Sequence, residues 1–142
     1  KLGLLGEDNK DKFLIVDLLT WMHQNKVDYT NTFCHLMNFK EYDNEIYKDN
    51  NFQNWKKSWR ERLKLNDNNP EKYTKLMRSV NPLVIPRNHK VEKSLEKAYD
   101  NNFEPLNKFL KILKKPYKQQ ENISDYLKMD SSSKEYKTFC GT

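Results

Sequence analysis

The chain has 142 residues, a formal net charge of +6, 36% hydrophobic residues and a mean hydropathy of −1.06. This length suits one domain that buries roughly 68–70% of its unfolded surface, and 13% aromatic residues can supply a modest core. No apolar run approaches the ~18 residues that a membrane helix needs, and no signal peptide is expected. The two cysteines are too far apart to suggest a disulfide scaffold or a metal knuckle.

Apolar residues recur at helical spacing in the first part of the chain. Residues 1–8 form a lead-in that Gly3 and Gly6 keep irregular, and a helix is predicted from about residue 10 to residue 25. Asp28 is suited to cap a second helix, and the short link between the two helices favours antiparallel neighbours. The predicted apolar stripes are Leu14, Ile15, Leu18, Leu19 and Met22, with Trp21 at the edge, and then Tyr29, Phe33, Leu36 and Met37.

Residues 39–50 are polar and irregular, and they are predicted to form a loop anchored by Tyr42 and Tyr47. A third helix follows, and the residues from 66 to 70 end it. Pro70 is suited to the first position of a fourth helix. The predicted stripes of these two helices are Phe52, Trp55, Trp59 and Leu63, and then Tyr73, Leu76, Met77 and Val80.

The segment 81–92 is predicted to be an extended strut that leads into a helix. Its two prolines, four residues apart, disfavour the α conformation for the residues before them. Asn88 is predicted to be the N-cap of the fifth helix, with Glu92 in the first turn, where the helix dipole favours an anion. Ile85 is expected to be buried between the neighbouring helices.

The fifth helix is predicted to stop around residues 100–102, and a sixth is predicted to start near Pro105 and to end before Pro116. Residues 116–142 are polar and are predicted to form an extended tail that ends in Cys-Gly-Thr. No segment alternates as a strand would, so the fold class is all-α, with about six amphipathic helices in an irregular bundle and a helical domain at 9–115. The stripes of these last helices are predicted to be Val91, Leu95, Ala98 and Tyr99, and then Leu106, Phe109, Leu110 and Leu113.

Residue types that often carry chemistry are present but poorly arranged for it. Cys34 and His35 are adjacent in a helix and point about 100° apart, so Cys34 is interpreted as a packing residue and not as a nucleophile. No histidine has a second ligand at i+3 or i+4, so no metal site is predicted. The lysines alternate with Asp and Glu, which indicates a solvated basic surface more than a nucleic-acid site. Trp55 and Trp59 are interpreted as core residues and not as a base-stacking platform.

Arg87, Asn88 and His89, at the predicted start of the fifth helix, leave two interpretations open. An arginine beside free backbone N–H groups could hold an anion or a phosphate. In the other interpretation, Asn88 caps the helix and Arg87 pairs with a carboxylate of a neighbouring helix. The sequence favours the structural interpretation.

Several short motifs follow one another along the chain, among them the string NP-x-x-IPRNH-x-VE at residues 81–92. The other motifs are Lys1-Leu2-Gly3-Leu4, Asp28-Tyr29-Thr30-Asn31-Thr32-Phe33, Trp55 and Trp59 with Arg62-Leu63, Met77, Pro116-Tyr117 and the C-terminal Tyr136-Lys137-Thr138-Phe139-Cys140-Gly141-Thr142. In this order they resemble the C-terminal part of the SelO (YdiU) family over almost the whole chain. Each motif alone would be weak.

The resemblance implies the C-terminal helical region of a kinase-like (pseudokinase) protein adenylyltransferase. Such a protein transfers AMP from ATP to protein hydroxyl side chains, with Mg²⁺ or Mn²⁺ as cofactor. The nucleotide-handling residues would lie in a kinase-like core that precedes Lys1, so the chain is expected to be a fragment without catalytic residues or cofactors of its own. Its partners would be that core and the protein substrates of adenylylation. No membrane partner is expected, and a nucleic-acid partner is disfavoured.

The family resemblance also bears on Cys140 and on localisation. Cys140 matches in position a redox-active cysteine or selenocysteine of the family, which makes it a redox candidate. The expected location is mitochondrial for a eukaryotic source and cytoplasmic for a bacterial one, and not secreted. The alternative function is a stand-alone basic helical module that binds an acidic protein or nucleic acid, and the reading frame upstream of Lys1 would distinguish the two.

Overall fold

The computed structural model describes residues 1–66, 69–121 and 123–128. Within these ranges the regular elements are helices and no strand occurs, which confirms the predicted all-α class. Cys140 and the rest of the C-terminal motif lie outside the described residues. The α-helices of the described residues are α1 (Asp11–Gln24), α2 (Tyr29–Leu36), α3 (Asn50–Asn66), α4 (Pro70–Val80), α5 (Asn88–Tyr99), α6 (Glu104–Leu113) and α7 (Ser124–Leu127).

The chain divides into two compact units, residues 1–83 and residues 84–142. The boundary falls inside the segment predicted to be a strut, whose residues 81–87 are not helical. The helical domain predicted at 9–115 therefore contains parts of both units. No helix among the described residues is long and apolar enough to cross a membrane.

Local capping signals set the starts of α2 and α4, which confirms the predicted cap at Asp28 and the predicted start at Pro70. The Asp28 side chain accepts a hydrogen bond from the Asn31 backbone N–H at 2.8 Å and caps α2. Asn69 caps α4 in the same way through the Glu71 N–H at 2.9 Å, and Pro70 is the first helical residue.

The aromatic stripe of α3 forms the centre of the first unit. Phe52, Trp55, Trp59 and Leu63 are all buried, which confirms their prediction as core residues. The rings of Trp55 and Trp59 are stacked, with centroids 5.8 Å apart. Aromatic rings of this size dominate core energetics, so this stripe carries much of the stability of the unit.

Helix α1 packs against α3 on a face rotated from the predicted one. Leu14, Leu18 and Met22 are buried as expected, but Ile15 and Leu19 are exposed. Trp21, predicted at the edge of the stripe, is buried instead. Its indole N–H donates to Asp49 Oδ1 at 2.8 Å, and its ring lies 4.5 Å from that of Phe52. The large ring and its hydrogen bond turn this side of α1 inward.

The predicted loop at 39–50 contains two short 3₁₀ segments, Lys40–Tyr42 and Glu45–Lys48. Tyr42 and Tyr47 anchor it as predicted, since both are buried. The Tyr42 hydroxyl donates to the Leu83 carbonyl, and the Tyr47 hydroxyl lies 3.2 Å from Thr32 Oγ1.

In the second unit, α5 begins one residue earlier than predicted. Arg87 occupies the N-cap position, and its carbonyl accepts the N–H groups of Lys90 and Val91. Asn88 is therefore the first helical residue and not the cap, and Glu92 lies beyond the first turn. Ile85 is only partly buried, whereas Leu83 and Val84 are buried, so the expectation for Ile85 was wrong.

The core of the second unit also differs from the prediction. Leu95 is exposed and Tyr99 is 89% exposed, although both were predicted to face the core. In α6 the buried residues are Phe109 and Ile112. Helices α5 and α6 pack against each other.

The segment after Pro116 is not simply extended, as had been predicted for residues 116–142. Its described part carries the one-turn helix α7, and both Ile123 and Leu127 are buried. The ring of Tyr126 stacks on that of Phe109 with centroids 5.1 Å apart. The apolar residues of this polar segment are therefore packed in the second unit. The polar composition alone did not indicate such packing.

Candidate interaction site at the lead-in segment

The lead-in is held in place by side chains that are far away in the sequence. The Trp59 indole N–H donates to the Leu2 carbonyl at 2.8 Å, and the Asn81 side-chain amide donates to the Lys1 carbonyl at 2.8 Å. Both side chains are buried, and so is Leu2. Buried donors fix this backbone strongly, because leaving either group unpaired would carry a desolvation penalty.

Gly3 is required by the same arrangement. Its φ is +75°, a conformation that residues with a Cβ rarely adopt. A Cβ at this position would also lie 3.1 Å from both Met77 Cγ and Tyr73 Cβ. Gly6 has a similar φ of +67°, but a Cβ there would meet nothing within 4 Å. The lead-in thus packs tightly against α4 at Gly3 and not at Gly6.

Arg62 joins the lead-in to α1. Its Nε and Nη2 donate to the two carboxylate oxygens of Asp11 at 2.6 and 2.9 Å, and Nη2 lies 3.5 Å from the Leu5 carbonyl. The hydrogen bond from Arg62 holds the pKa of Asp11 below its usual value. Bidentate pairs of this kind add geometric specificity to charge attraction.

Lys1 lines one part of a groove. Its ammonium lies 5.6 and 5.5 Å from the ring centroids of Tyr29 and Phe33. The same ammonium donates to the Val80 carbonyl and to Asn81 Oδ1, both at 3.3 Å. Lys1 is therefore held by contacts with α2, α4 and Asn81.

The groove beside the lead-in has a volume of about 390 Å³ and is mostly apolar. Its lining residues are Lys1, Leu2, Leu4, Asp11, Ile15, Leu18, Leu19, Tyr29 and Phe33. Since Asp11 is paired with Arg62, and Lys1 with groups of α4 and Asn81, the groove offers mainly hydrocarbon and aromatic surface.

A polar cluster that the sequence did not indicate lies elsewhere in the first unit. His35 Nδ1 donates to Asp43 Oδ1 at 3.0 Å, and the Lys56 ammonium lies 3.3 Å from His35 Nε2. The imidazole stacks on Tyr47 with centroids 4.0 Å apart. Burial, and then Lys56, lower the pKa of His35, and burial lowers the pKa of Lys56. A neutral imidazole can accept from Lys56 while donating to Asp43.

Comparison with known proteins decides the family. The sequence model of protein adenylyltransferase SelO matches residues 1–114. The chain belongs to the SelO family. Proteins named protein nucleotidyltransferase YdiU are 46%, 39% and 42% identical to it in Pelagibacter ubique, Clostridium beijerinckii and Alcanivorax borkumensis. These matches cover 100% of this chain but only 30%, 29% and 30% of the relatives.

The residues that the SelO model matches include the lead-in, α4 and α5. The start of α5 contains Arg87, Asn88 and His89 as consecutive residues. Asn88 is exposed, and Arg87 and His89 are partly buried. The choice between an anion site and a structural role at these residues stays open.

The structure describes Cys34 but not Cys140. Cys34 is 0% exposed, and its Sγ lies 3.5 Å from the Pro82 carbonyl, which agrees with its prediction as a packing residue. Cys140 lies beyond residue 114, where the SelO model match ends, and outside the described residues. Its redox role stays a prediction.

Proposed function

We propose that this chain is the C-terminal helical region of a SelO-type protein adenylyltransferase and that it supports the part of the protein that transfers AMP. The substrate groups would be protein hydroxyl side chains, and the AMP donor would be ATP. The family membership and the relatives' name, protein nucleotidyltransferase, support a nucleotidyl transfer by the whole protein. The chain spans about 30% of the length of those relatives, so the transfer itself is assigned to the rest of the protein.

The observation that carries the supporting role is the convergence of separate motifs on the lead-in. Trp59, Arg62, Met77 and Asn81 come from α3, α4 and the segment after α4, and all of them contact or closely approach residues 1–5. Each fixes the backbone at a different point. Such an anchor is suited to holding a following helical region in register with a preceding domain.

The binding of ATP and of Mg²⁺ or Mn²⁺ is part of the same proposal. Among the described ranges, no group of three His, Cys, Asp or Glu residues could hold a metal ion, and the sequence has no glycine-rich phosphate loop. In the proposal, nucleotide and metal are therefore bound by a kinase-like core outside this chain. Because the three relatives named above are bacterial, the cytoplasm is part of the same proposal.

A pair of glycine variants of the whole protein tests the supporting role. Gly3→Ala and Gly6→Ala both place a Cβ at a positive φ, but only Gly3→Ala forces that Cβ against Met77 and Tyr73. AMP transfer to a protein substrate, followed with a labelled ATP analogue, should fall well below wild type in Gly3→Ala and less in Gly6→Ala. Residues 1–142 alone should transfer no AMP.

The outcomes separate the two parts of the proposal. A whole protein that transfers no AMP would contradict the adenylyltransferase assignment. Equal activity of Gly3→Ala and Gly6→Ala would contradict the supporting role of the lead-in.

We also propose that Cys140 makes AMP transfer sensitive to redox conditions, on the basis of its position in the family motif. The test compares the whole wild-type protein with Cys140→Ser, each with and without dithiothreitol. Only the wild type should respond. An identical response of both proteins would make Cys140 a bystander.

A further inference from the structure

An apolar surface of the first unit has no cover among the described residues. Four of its side chains are about half exposed: Ile15 at 43%, Val16 at 49%, Leu19 at 42% and Tyr29 at 46%. Three of them lie on α1, at positions i, i+1 and i+4, and therefore on one side of that helix. We call this surface, together with the adjoining groove of about 390 Å³, the α1 face.

We propose that the α1 face is the docking surface for the part of the same polypeptide that precedes Lys1. This inference rests on the proposed function, in which the chain is the C-terminal region of a longer SelO protein. It goes further by assigning one particular surface of the first unit to that contact. The occupant is an apolar edge of the preceding part and not a nucleotide or an anion.

The chemistry of the α1 face favours an apolar occupant. The two charged residues that line its groove already have partners, since Asp11 is paired with Arg62 and the Lys1 ammonium donates to Val80 and Asn81. What the face leaves exposed is aliphatic and aromatic carbon. A contiguous exposed patch of this kind marks an interaction surface more often than a solvated one.

The identity of the occupant follows from length and continuity. The curated relatives are about three times as long as the stretch they share with this chain, so most of the whole protein lies outside it. The groove is lined by Lys1, Leu2 and Leu4, so the polypeptide that leads into Lys1 reaches the α1 face first. A tethered segment also has a high effective concentration at a surface beside its own attachment point.

Cysteine accessibility in the whole protein tests the inference. Leu19→Cys and Val16→Cys place thiols on the α1 face, and Lys57→Cys places one on an exposed position of α3 outside it. Maleimide labelling of each site is followed by peptide mass spectrometry, which distinguishes it from Cys34 and Cys140. Labelling of each variant in urea corrects for intrinsic thiol reactivity.

The expected result is that the two α1 thiols react slower than Lys57→Cys by a factor on the order of ten or more, because the docked segment covers them. Equal rates at all three sites would overturn the inference. Protection that disappears on dilution would also overturn it, since the cover would then be a second copy of the protein.

The AMP-transfer assay on the same variants keeps this test separate from the proposed function. If the whole protein is active and the α1 thiols react freely, the docking inference fails and the proposed function stands. If the α1 thiols are protected in a protein that transfers no AMP, the docking inference stands and the proposed function fails.

Discussion

The two units of the chain use their apolar residues differently. In residues 1–83, a stripe of large aromatic rings on α3 is completely buried among α1, α2 and the loop tyrosines. In the second unit, α5 has an equally regular stripe, but Leu95 and Tyr99 remain exposed. Helical periodicity was present in both places. The difference teaches that helical periodicity alone does not decide which residues become core, because burial also depends on the side chains that other elements bring to the stripe.

A second difference lies in the buried polar groups. The first unit satisfies each tryptophan N–H with a specific acceptor: Asp49 for Trp21, the Leu14 carbonyl for Trp55 and the Leu2 carbonyl for Trp59. These bonds connect residues 28 to 57 positions apart. In the described part of the second unit the core instead centres on Phe109, which has no polar group to satisfy. The first unit should therefore be the more specifically packed of the two.

The largest expected effect is on Trp59. Trp59→Ala should lower the free energy of unfolding by about 3–5 kcal/mol, the range for truncating a buried aromatic residue. Phe109→Ala should cost less, because Trp59 has the larger side chain and its indole N–H also donates a hydrogen bond. Urea unfolding followed by circular dichroism measures both, with Tyr99→Ala as the exposed control. A larger loss for Phe109→Ala than for Trp59→Ala would invert the comparison.

A smaller effect is expected at Asn81. Asn81→Ala removes a buried side chain and its part-buried hydrogen bond to the Lys1 carbonyl, and should cost about 1–3 kcal/mol. Hydrogen exchange should rise in α4 of the first unit more than in α6 of the second. Asn54→Ala, at an exposed position of α3, is the matched control. Uniform acceleration across both units would argue against a local role for Asn81.

The smallest effect is a pH dependence confined to the first unit. Burial and Lys56 lower the pKa of His35 below its usual 6.5, so the unfolded chain binds a proton more readily than the folded one. The stabilisation is complete above pH 6.5 and is lost as the pH falls below it. In urea unfolding between about pH 7.5 and 5.5, stability should fall more steeply for wild type than for His35→Gln. Parallel pH profiles would show that His35 does not contribute.

Local signals made part of this architecture predictable. The caps at Asp28 and Asn69 and the start at Pro70 depend on residues within a few positions of one another, so the sequence contains the whole cause. The α3 stripe was predictable because three large aromatic rings and a leucine recur at helical spacing, and burying that much apolar surface is strongly favourable. The all-α class followed from the same spacing.

Long-range geometry accounts for what could not be predicted. Helical periodicity predicted an apolar stripe on α1 but not which flank of the stripe would be buried. The Trp21 side of the helix is buried, with a hydrogen bond from Trp21 to Asp49, and Ile15 is exposed. The contact of His35 with Lys56 depends on how α2 meets α3, and no spacing in the sequence encodes it. The motif resemblance indicated Gly3 and Asn81 as family residues, but only the structure shows that both hold the lead-in.

The placement of the indoles has a spectroscopic consequence. Trp21, Trp55 and Trp59 are the only tryptophans in the sequence, and all three are buried in residues 1–83. Tryptophan fluorescence excited at the red edge therefore reports on that unit alone, whereas the helical signal in the far ultraviolet arises from both. If the two units open separately, the fluorescence and helicity curves will have different midpoints in urea, and a two-state analysis of either curve will not describe the whole chain.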